Sequence, residues 1–351
     1  MRVRSPGRLP GHALKRWTFR PRDGMVPRLD PLRQGMKKVA IIGAGISGLV
    51  CARKLKEAGC KVTVFEKSRS LGGRCATRKW RDHIVDHGAQ FWTVNNDEFR
   101  GSLYRVAAKD QLKKIAKPVL DVGGAELPCH GDGRYYCVPG NNRLGSALAA
   151  SLDVRLESLV EEAHSETGKW LVQGEKFNAM VSCAPYPQTA KIFGLDPVKA
   201  LFAPCLTAFF EFPGAWVGAT KSCYGILDRL ARREVSWSSC ENHKEDRIAG
   251  DKTVIVVEAS RVFSNAHLEN DPEQYLPALL KSVHETWEIP ISLQATATFA
   301  HRWRFARVLQ PLPDSFTPPP GIFLTGDSLR ESGVEQVWLE GLRTAERVLE
   351  T

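Results

Sequence analysis

The run KVAIIGAGISGLVCARKLKEAGCKVTVFE, Lys38 to Glu66, constrains the fold more than any other stretch of the chain. Its opening KVAII is mostly apolar and suits a strand buried on both faces of a sheet. Glycines follow at Gly43, Gly45 and Gly48, and apolar residues then recur at helical spacing until Gly59 stops the helix. A second apolar strand ends at Glu66. Strand, glycine turn, helix and strand in this order make a dinucleotide-binding unit. Gly43 permits the tight turn, Gly45 the close approach of backbone to a pyrophosphate, and Gly48 the close packing of helix on strand. The helix N-terminus faces the phosphate charge. The Glu66 carboxylate, eighteen residues after Gly48, is placed to accept hydrogen bonds from ribose hydroxyls.

A chain of 351 residues, 43% of them hydrophobic, buries a core large enough for two interleaved domains or one large one. No apolar run approaches the roughly 20 residues needed to span a bilayer, so no membrane insertion is expected and the expected location is the cytoplasm. The formal charge of +10 is unevenly spread. The first thirty-five residues hold nine Lys or Arg against Asp23 and Asp30, a net +7 that leaves only +3 for the remainder. A nucleic-acid partner therefore loses its support, and no basic and aromatic residues alternate in a stacking pattern. Nine scattered cysteines without C-x-x-C spacing argue against a disulfide framework or zinc ribbon and for a reducing compartment. Cys129, His130 and Cys137 come nearest to a metal cluster and are read as loop and strand residues, so no metal is expected.

Residues 1–35 carry five prolines, no helical or strand period and no apolar signal core, and are expected to be an unstructured basic extension. Met36 stands directly before Lys37, Lys38 and the first strand, where such a chain could start. The extension is therefore expected to be dispensable, whether untranslated or cleaved. Its arginines leave a transit peptide, and with it an organellar location, as the alternative.

Past Glu66 come KSRSLGGRCATR and DHGAQFWT, and near the C-terminus GIFLTGDSLRESGVEQVWLEGLRTAERVL. With these motifs the sequence resembles the renalase-like branch of the FAD-dependent amine oxidase superfamily over most of Lys37 to Thr351. The resemblance implies an α/β fold of the glutathione-reductase-like flavoprotein type, in which a Rossmann-type FAD-binding domain is interleaved with a mostly antiparallel α+β substrate domain. It places non-covalent FAD against Gly43, Gly45, Ile46, Ser47 and Gly48, with Glu66 and Lys67 at the ribose. Gly73 and Arg74 serve the pyrophosphate, the guanidinium supplying a fixed fork of donors. Gly88, Ala89 and Gln90 lie where a flat ring must pass, and the backbone at Val160 meets the adenine. Gly326 and Asp327 bond a ribityl or phosphate-linked hydroxyl. The helix starting near Val334 and Glu335 points its positive end at the ring, where charge develops on reduction.

Residues 36–94, 146–184 and 308–351 are assigned to the FAD-binding domain, and 95–145 and 185–307 to the substrate domain. Within the latter, CLTAFFEF, EVSWSS, TVIVVEAS and TATFAHRW read as strands of a mostly antiparallel sheet, and DPEQYLPALLKSVHETW as a covering helix. Gln90, His301, Trp303 and Glu335 are the expected cavity or catalytic residues, and His87, Trp92 and Trp237 are further residues that could face it. The chain departs from the family pattern at Cys75, Asn141, Val337 and Glu340, which puts the shape of the cavity in question.

The expected activity is hydride transfer from a small nitrogen-containing molecule to flavin N5, with O2 as acceptor and hydrogen peroxide as product. The implied substrate class is an isomeric dihydronicotinamide nucleotide. Alternatives are a flavin amine oxidase, a desaturase or porphyrinogen-oxidase relative, and a non-catalytic flavin-binding protein. There is no second G-x-G-x-x-G unit for a separate nicotinamide cofactor. The protein is expected to act as a monomer or homodimer.

Overall fold

The five-residue strand Lys38–Ile42 becomes the centre of a parallel sheet because its alternate side chains have a hydrophobic layer on each side. It pairs with Lys61–Phe65 on one edge and Ala179–Ser182 on the other, and Asp153–Arg155 and Ile322–Leu324 extend the sheet to five strands. Val39 and Ile41 join the core beneath the helices Ile46–Glu57 and Val334–Leu349. Ala40 and Ile42 face the other way, onto Val160, Val172, Phe177 and Met180, where a three-stranded antiparallel layer covers the sheet. The two helices meet closely: a Cβ on Gly341 would lie 2.6 Å from the Ser47 carbonyl oxygen. The computed structural model describes residues 36–107, 110–196 and 201–351, and the expectations for the basic extension lie outside the described residues.

The second sheet has six strands in the order Ala297–Gln310, Leu201–Pro213, Lys252–Ala259, Val235–Cys240, Gly225–Leu227 and Val119–Asp121. All neighbours are antiparallel except the last pair. The helix Pro272–Thr286, opened by a capping box at Asp271, covers one face through Tyr275, Leu279 and Val283. On the opposite face Phe209, Val254 and Val256 pack against Val85 and Trp80 of the hairpin Thr77–Trp80 and His83–Asp86. That hairpin leads straight into Gly88, Ala89 and Gln90, so the second sheet is the surface on which this segment rests.

Two elements differ from the sequence reading. The strand that carries His301 and Trp303 runs on to Gln310, past the residue 307 boundary. A helix, Asp97–Val106, stands in a stretch read as lacking strand and helix alternation. It buries only Phe99, Ser102 and Leu103, too narrow a stripe to signal a helix by periodicity, and Asn96 caps it by accepting from the Phe99 N–H at 3.0 Å. Among the described residues no helix is long and apolar enough to cross a membrane.

Candidate active site

The glycine turn is packed from behind by the end of the neighbouring strand. Gly43 has φ +101°, a conformation costly for any side chain but glycine. A Cβ on Gly45 would stand 3.0 Å from Cys183 Sγ, and one on Gly48 only 2.4 Å from the Gly43 carbonyl oxygen. Ser47 Oγ lies 3.0 Å from Cys183 Sγ, and Ile46 and Ser47 are both buried. The helix begins at Ile46 with no side-chain cap and no acidic residue in its first turn. Its first N–H groups and positive end are thus left for an anion from outside the helix.

Glu66 does more than close the second strand. Its Oε2 accepts from the Ala44 N–H at 2.7 Å, and its Oε1 accepts from the Ser68 N–H and hydroxyl at 2.8 and 2.7 Å. The carboxylate braces the glycine turn itself, while Lys67 beside it is exposed. Val160 is buried and lines a cavity of about 290 Å³ together with Leu159, Glu161, His164 and Leu171.

The G-G-R and G-A-Q segments run together over this turn. Gly72 N–H donates to the Ala44 carbonyl at 2.9 Å, and a Cβ on Gly73 would sit 3.0 Å from Gly45 Cα. Ala89 N–H donates to the Arg74 carbonyl at 2.8 Å, and a Cβ on Gly88 would lie 1.9 Å from that same oxygen. The backbone thus forms a continuous path that only glycine allows. Arg74 reaches Asp327 with both guanidinium nitrogens, at 2.6 and 2.8 Å, and its Nη1 also donates to the Ala306 carbonyl at 3.1 Å. Ser332 Oγ donates to Asp327 at 2.8 Å. Two residues expected to hold a cofactor separately are therefore joined, 253 positions apart, across the strand end where Gly326 turns with φ +98°.

Gln90 and Glu335 are committed within the fold. Gln90 Nε2 donates to the Asp86 and Gly88 carbonyls at 2.7 and 3.1 Å, and its Oε1 accepts from Ser239 Oγ at 3.2 Å. Glu335 Oε2 accepts from the Asn95 and Asn96 N–H groups at 2.6 and 3.0 Å, which ties the C-terminal helix to the start of the helix Asp97–Val106. Val334 beside it is buried in the core.

Asn141 was noted in the sequence only as a departure from a pattern. In the structure it is fully buried and donates from Nδ2 to the Ala89 and Gln90 carbonyls at 2.8 and 3.2 Å. Its Oδ1 accepts from the Cys137 N–H at 2.9 Å. Asn141→Leu is expected to cost about 1–3 kcal/mol in urea unfolding, because it leaves buried backbone groups unpaired. A cost within ±0.5 kcal/mol would mean that these contacts carry no net stability.

Beneath the G-A-Q segment lie four charged side chains that sequence reasoning missed. Asp86, Glu241, Lys244 and Arg247 are all without exposed side-chain surface. Lys244 Nζ stands 2.9 Å from Asp86 Oδ2 and 2.7 Å from Glu241 Oε1, and Arg247 Nη2 stands 2.8 Å from Asp86 Oδ2. Burial alone would raise the Asp86 carboxyl, but Lys244 and Arg247 reverse this and hold it at about 2. For Glu241 burial wins, and its carboxyl is raised.

In front of the segment the structure brings His87, His301 and Trp303 into one aromatic corner. The His87 ring stacks on Trp303 at 5.6 Å and 22° and meets His301 edge-on at 4.9 Å. His301 and Trp303 are 4.4 Å apart, and Trp303 Nε1 donates to the His87 carbonyl at 2.8 Å. Trp92 and Trp237 instead lie in separate hydrophobic clusters.

Burial, then His301 and the Arg78 guanidinium, lower the His87 imidazole to about 3, with Asp86 pulling the other way. An unfolded chain would titrate this group near 6.5. Between these values the unfolded state binds a proton that the folded state refuses, so stability rises with pH there and is lost on acidification. One such group gives a slope of about 1.4 kcal/mol per pH unit. His87→Phe is expected to flatten the urea-stability profile between pH 6.5 and about 3. An unchanged profile would show that the folded protein protonates His87 freely.

The arrangement offers an uncapped helix start, a glycine-only backbone path and an aromatic corner, in the chain order of a dinucleotide site with a reacting end. The NAD(P)-binding Rossmann-like domain family matches residues 41–105. Flavin-containing monooxygenase FMO GS-OX-like 4 of Arabidopsis thaliana is 47% identical over 195 residues, 49% of this chain and 42% of that protein. FMO GS-OX-like 11 of the same plant is 47% identical over 159 residues, 42% of this chain and 92% of that protein. This chain therefore spans less than half the length of the first relative. Among solved structures, reduced UDP-galactopyranose mutase matches at TM-score 0.72, 11% identical, over 90% of this chain and 96% of that one. Putrescine oxidase bound to putrescine matches at TM-score 0.67, 14% identical, over 90% and 99%. At these identities the structural likeness is one of fold.

Proposed function

We propose that this chain, which belongs to the FAD-dependent oxidoreductases, is a renalase-like oxidase that takes a hydride from an isomeric dihydronicotinamide nucleotide. Bound FAD would supply the two-electron acceptor for that hydride, and O2 with a proton from solvent would then be the co-reactant that takes the electrons away as hydrogen peroxide. The observation that carries the reading is the backbone path from the uncapped helix start through Gly73 and Gly88 to the His87, His301 and Trp303 corner. The parallel sheet would hold the nucleotide, and the six-stranded sheet would present the substrate.

In this reading the helix start at Ile46 and the turn at Gly43 and Gly45 receive the pyrophosphate, with Glu66 holding the turn in shape and offering the remaining acceptor site on Oε2 to the ribose. Arg74 and Asp327 fix the two sides of the crevice against each other, and Arg74 has donors left for the phosphates. Gly88, Ala89 and Gln90 supply a flat edge for the ring. Gln90 holds this edge through the Asp86 and Gly88 carbonyls, and Glu335 keeps the C-terminal helix pointed at it by anchoring Asn95 and Asn96. His301 and Trp303 wall the substrate and exclude water. Because positioning supplies most of the rate here, with reacting atoms about 3–3.5 Å apart, no general base is required.

The reading is tested by adding preparations of reduced nicotinamide nucleotide enriched in ring isomers, beside a panel of primary and secondary amines, to aerated enzyme. Peroxide formed in proportion to the isomer is expected. Peroxide formed only with an amine would move the protein to the amine oxidases, and none with either would leave a non-catalytic flavin protein.

A further inference from the structure

We propose that a cavity on the outer face of the C-terminal helix is a binding site for a small zwitterion with an apolar body, an α-amino acid bearing a large side chain. The helix Val334–Leu349 turns Gly341 inward, where a Cβ would lie 2.6 Å from the Ser47 carbonyl oxygen. Gln336, Leu339 and Arg343 recur at helical spacing on the opposite face and line a cavity of about 530 Å³. Its other walls are the segment 311–314 and the turn 329–331. Such a volume is that of a small-molecule site. None of the residues assigned above to the nucleotide or to the aromatic corner lines it.

The charges around this cavity fit a ligand that carries both signs. Glu340, one of the departures noted in the sequence, lies on the same helix with its side chain only 1% exposed. Arg347 meets it at 2.9 Å and also donates to the Leu324 carbonyl and to Thr344 Oγ1. Arg330 and Arg343 stand farther from the same carboxylate, at 3.4 and 3.5 Å, and are half exposed. Arg347 therefore makes the close ion pair with Glu340, while the two guanidiniums that line the cavity are oriented by it and keep donors for a ligand. Asp314 and Glu331 line the same cavity, both are exposed, and neither forms an ion pair among the described residues. Two cations and two carboxylates thus share one cavity without pairing with each other. A ligand of a single sign meets repulsion from half of them, whereas a zwitterion bridges the gap between the two kinds. Its carboxylate matches the guanidinium forks of Arg330 and Arg343, and its ammonium group matches Asp314 and Glu331. Pro311, Leu312, Pro313, Leu329 and Leu339 supply an apolar wall for the side chain.

The test is equilibrium dialysis of radiolabelled L-phenylalanine against the FAD-loaded full chain, kept anaerobic, with two competitors that each lack one charge. Phenylalanine is expected to bind at least about 5-fold more tightly than 3-phenylpropanoate, which has no ammonium group, and than 2-phenylethylamine, which has no carboxylate. Arg343→Gln and Glu331→Gln each remove one exposed charge from the wall and should each weaken phenylalanine by about 5-fold. Lys281→Gln, which removes an exposed charge from the helix Pro272–Thr286, should leave it unchanged. No retained label, equal competition by all three compounds, or phenylalanine binding unaltered in both wall variants would overturn the proposal. In the last case the amino acid would occupy another part of the protein. The proposal does not rest on which substrate reduces the flavin, so failure of the dihydronicotinamide reading leaves this test intact.

Discussion

Lys244→Met is expected to destabilise the protein by about 3–5 kcal/mol, the largest effect of any single substitution considered. The reason is what remains after the ammonium is removed. Asp86 and Glu241 would share Arg247 alone, with no exposed surface on any of the three side chains through which water could compensate. Arg247 Nη1 stands 3.7 Å from Glu241 Oε2, too long for a hydrogen bond, so it cannot take over the position of Lys244. Urea unfolding of the FAD-loaded protein measures the loss. A second variant, Lys244→Met with Glu241→Gln, removes one charge of each sign and should recover part of it. The two carboxylates differ in what they need: Asp86 also receives hydrogen bonds from Thr77 Oγ1 and the Asn141 N–H, whereas Glu241 Oε2 has no hydrogen-bond partner among the described residues. A loss below about 1 kcal/mol for the single variant would mean that Glu241 is already protonated and that Arg247 suffices for Asp86.

Gly88→Ala should empty the cofactor site. The added methyl would be placed 1.9 Å from the Arg74 carbonyl oxygen, a backbone atom that cannot rotate away. The Ala89 N–H to Arg74 hydrogen bond, 2.8 Å long, must break or the G-G-R segment must move off Gly45. Either response opens the path on which a flavin nucleotide would lie. FAD content after purification is expected to fall below about a tenth of that of the unaltered protein, the scale of a 1–3 kcal/mol overpacking penalty placed directly on the binding surface. Gly59→Ala is the control. Gly59 also has a left-handed φ of +90°, but nothing lies within 4 Å of its Cβ position. It should lose about 1 kcal/mol of stability and keep its FAD. Full FAD retention by Gly88→Ala would show that the cofactor does not pass this edge.

These effects mark where sequence reasoning reached and where it stopped. The dinucleotide unit was legible because its signals are local: a change from strand to helix period, three glycines and one acid within a single run. The antiparallel sheet was legible from apolar and β-branched runs such as TVIVVEAS. What escaped depends on residues far apart in sequence. Asp86 meets Lys244 across 158 positions, and the ENHKEDR stretch that supplies Glu241, Lys244 and Arg247 reads in isolation as a solvated loop. Arg74 and Asp327 were each legible as polar groups beside glycines, but their pairing was not. Asn141 illustrates a different limit. A departure from a family pattern signals that something has changed, yet only the fold shows that its amide holds the Ala89 and Gln90 carbonyls.

The same distinction bears on substrate choice. In the proposed reading the G-G-R, G-A-Q and G-D motifs would shape the cofactor side, which flavoproteins of many activities share. In that reading the substrate would meet the aromatic corner of His87, His301 and Trp303, where His87 precedes one of those motifs without belonging to it.

The most direct test of the account is anaerobic rapid mixing of the purified FAD-loaded protein with an isomeric dihydronicotinamide nucleotide, while following the flavin band near ~450 nm. Bleaching in a single fast phase whose amplitude matches the isomer added is expected, with no bleaching by simple amines over the same time. Bleaching by amines, with the nucleotide isomers inert, would contradict it.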